Sequence, residues 1–330
     1  MRKRLPIEFF ALLYLLAYLP YVLAVRWLAS VTYPPLGRAL SGLEILPATM
    51  ILSGALTWAF VWLSGWSKDA HHRRILGLTL PWPTRWTVLS GVGTSLLLFT
   101  VPLSFTFAGV SIPFMQLLMR GDVLVIAPLV DLVSGRKVAW YSWIALLLVG
   151  AGLTLTISRR GGLHLPPLAI LTVVLYALGY FARLIVMTKI GKTGDPKTSR
   201  GYFVEEKMVA IPLAIAALAA ISLLGLGAQG GELGFGFVQV WRSNQLGVIL
   251  AVSAFLVIVS VFSLIILLDP RENTFCVPIE RAASVLAGTA AAYILAAMSF
   301  GTAPSGAELG GALLLIAAIG VLAIGPRLRR

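Results

Sequence analysis

The chain has 330 residues, of which 58% are hydrophobic and 12% charged, and it carries a formal net charge of +13. Mean hydropathy is +0.92, and a soluble globular protein has about 25% charged residues, so this composition excludes one and points to a membrane protein. The single cysteine, Cys276, excludes an intrachain disulfide and a multi-cysteine metal site, while His71, His72 and His164 fall in polar connectors. No zinc, P-loop or nucleophile-elbow motif occurs. The expectation is therefore a protein with no catalytic residue, no metal and no cofactor, and not an enzyme.

Ten apolar spans can be drawn, at 6–25, 42–64, 87–108, 111–133, 140–157, 167–187, 204–226, 246–268, 275–298 and 307–324. Each is close to the ~20 residues a helix needs to cross the hydrocarbon. The first follows the basic run "MRKR". It is longer than a signal-peptide core and contains tyrosines and Pro20, which predicts an uncleaved first helix. Within it Tyr14, Tyr18 and Tyr21 stand at i, i+4 and i+7 and share one face. Glu44 lies at the start of the second span, where an acidic first turn complements the helix dipole.

The fourth span holds charges in its interior. Gln116 and Arg120 are four apart and share a face, whereas Asp122 points roughly 200° away from Arg120 and needs a partner on another helix or a wet cavity. By insertion scales an unpartnered charge at the bilayer centre costs about 2.5–3.5 kcal/mol, so such residues are functional by default. The sixth span repeats the stripe of the first as Tyr176, Tyr180 and Arg183. Tyrosine supplies an apolar ring with a polar tip, and arginine a five-donor fork suited to carboxylate or phosphate. The stripes read either as helix-packing aromatics or as the walls of an amphipathic cavity.

The stretch 188–203 is polar and basic and reads as a cytoplasmic connector, with Glu205 and Glu206 just beyond it. In the ninth span Arg281 shares a face with Ser284 and Gly288, and Glu280 points about 100° aside. Two roles stay open for Arg120 and Arg281: holding an anionic group, or forming interhelical pairs such as Arg120 with Glu280 and Arg281 with Asp122, which a carrier could break and remake. Glu44, Glu205 and Glu206 likewise read as solvated helix ends or as coupling carboxylates.

Sorted by side, 18 of the 26 Lys and Arg fall with the two termini, five fall opposite, and Arg120, Arg183 and Arg281 lie inside spans. By the positive-inside rule both termini are cytoplasmic, in a multi-pass inner-membrane protein. The net charge is thereby a topology signal, and no nucleic-acid partner is implied.

The chain also aligns with itself at a shift of about 161–162 residues. "YLLAYLPY" (14–21) lies over "YALGYFAR" (176–183), Glu44 over Glu205 or Glu206, and Arg120 over Arg281. An odd number of spans in each half inserts the second half upside down. Inverted repeats recur in secondary transporters, whose substrate site lies at mid-depth between the halves.

The segments 112–155 and 274–322, each a helix, a turn and a small-residue-rich helix closing its half, resemble the EamA-type permeases of the drug/metabolite transporter superfamily. The resemblance implies an all-α polytopic fold of ten transmembrane helices, with residues 1–160 as the first five-helix repeat and 161–330 as the second. It also implies a secondary carrier, monomeric or homodimeric, that moves a small polar or amphipathic metabolite across the bilayer by alternating access in the export direction. The three intramembrane arginines admit an anionic substrate. Tyr14, Tyr18, Tyr21, Gln116, Arg120, Tyr176, Tyr180, Arg183 and Arg281 are the candidate substrate contacts, and Asp122, Glu280, Glu44, Glu205 and Glu206 the candidate gating or coupling groups. A flippase for lipid headgroups or lipid carriers on the same fold, and an intramembrane enzyme acting on lipid-linked substrates, are the rival readings.

Overall fold

A computed structural model describes residues 7–75, 78–107, 110–133, 140–159, 165–270, 273–301 and 303–325. The helices in chain order are α1 (Ile7–Leu28), α2 (Gly42–Leu63), α3 (Arg85–Ser104), α4 (Ile112–Val133), α5 (Trp140–Arg159), α6 (Pro167–Val186), α7 (Pro196–Leu223), α8 (Gly227–Val238), α9 (Leu246–Leu267), α10 (Asn273–Ala297) and α11 (Gly306–Ile324). By length and apolarity, seven of the described helices suffice to cross a membrane: α1, α2, α3, α6, α7, α9 and α10. The basic N-terminal run, Arg136, Lys137, Arg271 and the C-terminal arginines lie outside the described residues.

Burial runs opposite to that of a soluble protein. Leu147 is 73% exposed and Leu12 and Leu16 more than half exposed, while Arg281 is 2% exposed. So much apolar surface needs a hydrocarbon solvent, and the polar side chains turn to one another inside. On α1 the division follows helical periodicity, with Leu12 and Leu16 outward and Tyr14, Tyr18 and Tyr21 inward.

Local chemistry sets where several helices begin. Ser41 with Glu44, and Ser305 with Glu308, form capping boxes at α2 and α11, each satisfying two orphan backbone donors. Thr84 and Thr87 do the same for α3. Asp195 caps α7, accepting from the amides of Lys197 and Thr198, and Pro196 follows at the first helical position. The expected connector 188–203 is consequently mostly helical. The last turn of α6 continues as a π-turn, Met187–Gly191, and α7 starts eight residues before the apolar span does.

Several short elements were not anticipated, among them an antiparallel pairing of Thr32–Tyr33 with Arg38–Ala39 between α1 and α2. Residues His72–Ile75 and Leu78–Pro81 form an antiparallel hairpin between α2 and α3. The short α8 fills the corresponding place between α7 and α9 and packs on both α2 and α7. Its glycines hid it from a propensity reading. One of them, Gly236, sits where a Cβ would lie 2.5 Å from the Glu44 carbonyl oxygen.

The helix neighbours define the framework. α1 packs on α9 and α10, and α6 on α3 and α4. α3 also packs on α7, and α9 on α2. α4 contacts α5 and α10, α10 contacts α11, and α5 lies along α11. The main core runs through the first group, and a smaller one, including Leu117, Val149 and Leu315, joins α5 and α11 to α4 and α10.

Candidate functional site

The stripes on α1 and α6 meet in the interior. Tyr14 and Tyr18 stack with ring centroids 5.3 Å apart, and Tyr176 and Tyr180 stack at 5.9 Å, the two pairs having nearly equal interplanar angles of 26° and 27°. The i, i+4 spacing within each helix produces both stacks. Arg120, from α4, reaches one tyrosine of each pair. Its Nη2 donates to the Tyr18 hydroxyl at 2.6 Å and its Nη1 to the Tyr176 hydroxyl. Among the described residues no carboxylate pairs with Arg120, and its Nε has no hydrogen-bond partner.

Arg281, on α10, is held differently. Its guanidinium carbon lies 4.4 Å from the Tyr180 ring centre, and its Nη2 is 3.3 Å from Oε2 of the neighbouring Glu280. The other oxygen of Glu280 accepts from Ser263 Oγ of α9 at 2.6 Å. The expected cross-helix pair of Arg120 with Glu280 is therefore not formed in this conformation. Arg281 Nε and the Tyr180 hydroxyl have no partner among the described residues.

Arg183, on α6, makes a two-point contact with Glu206 of α7, Nε to Oε1 at 2.9 Å and Nη2 to Oε2 at 3.3 Å. Glu206 Oε1 also accepts from Ser90 and Thr94 of α3, both at 2.8 Å, and from Tyr202 at 3.0 Å. A buried ion pair holds only when its remaining lone pairs are satisfied, and here they are. Two glycines allow this approach. A Cβ on Gly93 would lie 2.6 Å from the Gly179 carbonyl oxygen, and the reverse distance is also 2.6 Å. α3 and α6 thus touch backbone to backbone beside Thr94 and Tyr180.

The residue after Glu206 is the charged group at this site that sequence reasoning missed. Lys207 is counted there as a topology charge near a span end. The structure buries it at 3% exposure, with no ion pair within 4 Å among the described residues. Its position inside the apolar window of α7 was the available signal.

Most of these groups border one cavity of about 80 Å³. Tyr14, Tyr18, Arg120, Tyr176, Tyr180, Arg183, Glu280 and Arg281 line it together with Lys207, Thr94, Ser260 and Ser263, and Leu97, Leu98, Val101, Leu256 and Val259 form its apolar wall. A space of that size and polarity has room for several waters, at about 10–15 Å³ each. It is well below the roughly 300–1,000 Å³ of a metabolite site. In this conformation the site is too small for a metabolite of ordinary size.

The other sequence candidates lie elsewhere. Tyr21 packs edge-on against Phe105 and Tyr18 and does not line the cavity. Gln116 is buried against Gly288, where a Cβ would strike its amide, and neither amide atom has a partner among the described residues. The side chain of Asp122 lies outside the described residues. Glu44 completes its capping box and accepts from Arg38 Nη2 at 2.7 Å, holding that guanidinium above its ordinary pKa. Glu205 turns away from Glu206. It accepts from the His71 amide at 2.9 Å and from Thr87 Oγ1 at 2.9 Å, fastening the α2–α3 connector to α7.

No family model matches the chain, and no curated protein matches it in sequence. A solved crystal structure of a protein shares its architecture, with a TM-score of 0.53 at 13% identity, covering 98% of each chain. That likeness is one of fold over the whole length. It says nothing of activity.

Proposed function

We propose that the protein is a secondary carrier of ten transmembrane helices, built as two inverted five-helix halves, which moves a small polar or amphipathic metabolite across the inner membrane by alternating access. The observation that carries this reading is the central cavity, where the two tyrosine pairs and the guanidiniums of α4, α6 and α10 converge. Such a concentration of buried polar groups inside an apolar helical body has a direct use in a solute pathway.

The pattern of helix neighbours supports the repeat. Exchanging α1 with α6, α2 with α7, α3 with α9, α4 with α10 and α5 with α11 converts α3 on α6 into α9 on α1. It likewise converts α3 on α7 into α9 on α2, α4 on α6 into α10 on α1, and α4 on α5 into α10 on α11, and each of these contacts occurs. The resemblance of 112–155 and 274–322 to EamA-type permeases agrees with this arrangement. The distribution of basic residues supports cytoplasmic termini, and export is the direction proposed. The small cavity fits an occluded intermediate, from which one half tilts against the other to open either side.

Reconstitution tests the reading. Purified protein in liposomes, offered a mixture of amino acids, nucleosides, organic acids and sugar phosphates, accumulates an unmodified solute that protein-free liposomes do not. Exposure of lipid headgroups without solute uptake identifies a flippase instead, and a chemically altered product identifies an enzyme.

A further inference from the structure

Four cations line the central cavity: Arg120, Arg183, Lys207 and Arg281. Two are neutralised in place, Arg183 by Glu206 and Arg281 by Glu280. Arg120 and Lys207 have no carboxylate within ion-pair distance among the described residues. Both are at least nine-tenths buried, on α4 and α7, helices of opposite halves in the proposed repeat. A charge shut away from water without a counter-ion is unfavourable unless something else supplies the opposite sign.

The unused hydrogen-bonding capacity on the cavity lining is mostly that of donors; the exception, Glu280 Oε2, has no hydrogen bond among the described residues but lies 3.3 Å from Arg281 Nη2. Arg120 Nε, Arg281 Nε and the Tyr180 hydroxyl are buried and unbonded among the described residues, and the two nitrogens can only donate. Of the carboxylates beside the cavity, Glu206 is engaged by Arg183, Ser90, Thr94 and Tyr202, and Glu280 accepts from Ser263 on one oxygen and faces the charge of Arg281 with the other. A cationic ligand would add to four cations and find both carboxylates already paired with arginines, and a neutral one would leave two charges uncompensated.

We propose that the cavity binds an oxyanion carrying two negative charges, a phosphate monoester or a short dicarboxylate, with Arg120 and Lys207 as its counter-charges and the tyrosine hydroxyls and Arg281 Nε as additional donors. This rests on the carrier reading, with the dianion as the transported solute. A planar guanidinium fork matches a carboxylate or phosphate better than it matches a spherical anion. The apolar wall of Leu97, Leu98 and Leu256 accepts a short carbon skeleton beside the charged end. Arg183 is not a ligand, because Glu206, held by three other donors, already fixes it.

The test uses the full chain in detergent, with thermal unfolding followed at constant ionic strength against inorganic phosphate, succinate and, as the uncharged analogue, succinamide. A ligand that binds only the folded protein raises the melting temperature in a saturable way. Phosphate and succinate are expected to do so and succinamide not. Arg120→Gln and Lys207→Gln each weaken the response at least tenfold, and Arg200→Gln, which breaks only the peripheral pair with Asp69, leaves it intact. If Arg120→Gln does not fold, Arg120→Lys keeps the charge and loses the fork, and a weakened response is again expected.

Equal stabilisation by succinamide, no response to either dianion or to a short-chain phosphatidic acid, or an undiminished response in both variants overturns the proposal. Liposome uptake separates it from the carrier reading. Dianions that bind without being carried leave the site standing and remove the carrier. Uptake of a neutral or cationic solute through the cavity does the reverse. Stabilisation by a short-chain phosphatidic acid but not by inorganic phosphate keeps the dianion site and overturns the free solute as its occupant.

Discussion

Arg183 and Arg120 border the same cavity and are held in opposite ways. Arg183 faces a carboxylate that takes hydrogen bonds from three helices, α3, α6 and α7. Arg120 faces two phenol hydroxyls, one from α1 and one from α6, and keeps an unbonded Nε. The first arrangement completes the charge of the arginine and locks it. The second solvates the arginine without neutralising it. Burial alone therefore does not decide what an intramembrane arginine is for; the sign of its partners does.

The largest effect should come from breaking the locked site. Glu206→Gln leaves Arg183 without its counter-charge, and removing one partner of a buried pair costs about 3–5 kcal/mol. The expected outcome is a large drop in melting temperature and in folded yield. Loss of transport with unchanged stability would show that Glu206 is not structural. Gly179→Val comes next. The new side chain meets the Gly93 carbonyl, forces α3 from α6, and should destabilise by about 1–3 kcal/mol or more, read in the same melt.

The open site should respond less in stability and more in function. Tyr18→Phe and Tyr176→Phe each remove one charge-assisted hydrogen bond to Arg120, worth about 1.5–3 kcal/mol. Both should lower the affinity for transported solute while the protein still folds. A double-mutant cycle sharpens the point, since coupling is expected between the two tyrosines through Arg120 and none between either of them and Glu206. The smallest effect lies outside the membrane. The Thr198 amide and hydroxyl, with the Lys197 amide, hold the Asp195 carboxyl below its ordinary range. A carboxyl with a depressed folded-state pKa stabilises above its unfolded pKa, and that contribution is lost as pH falls through the folded value. Asp195→Ala should therefore lower the melting temperature slightly at neutral pH, erase that difference in acid, and leave uptake unchanged.

Much of this arrangement was legible in the sequence because a bilayer imposes one rule on every helix. Hydropathy located the long helices, and period-3.6 spacing brought Tyr14 with Tyr18 and Tyr176 with Tyr180 onto inward faces. The 161–162-residue shift singled out Arg120 and Arg281 together. Partner choice was not legible. Glu205 and Glu206 are adjacent and identical, yet one fastens a connector and the other holds Arg183, a difference set by the approach of α3 across Gly93 and Gly179. Lys207 was hidden by its place near the boundary between a basic connector and an apolar span, where a snorkelling lysine is the ordinary expectation. The hairpin and α8 were hidden for a different reason: they are short elements, and neither has a long periodic pattern.

Ser260 lines the cavity and stands outside both ion pairs, which makes it the best reporter of the central claim that one hydrated site opens alternately to the two sides. With Cys276 replaced by alanine, Ser260→Cys should react with a membrane-impermeant thiol reagent in right-side-out and in inverted vesicles, and added solute should slow both reactions. Reaction from one side only, or from neither under any condition, would contradict the account.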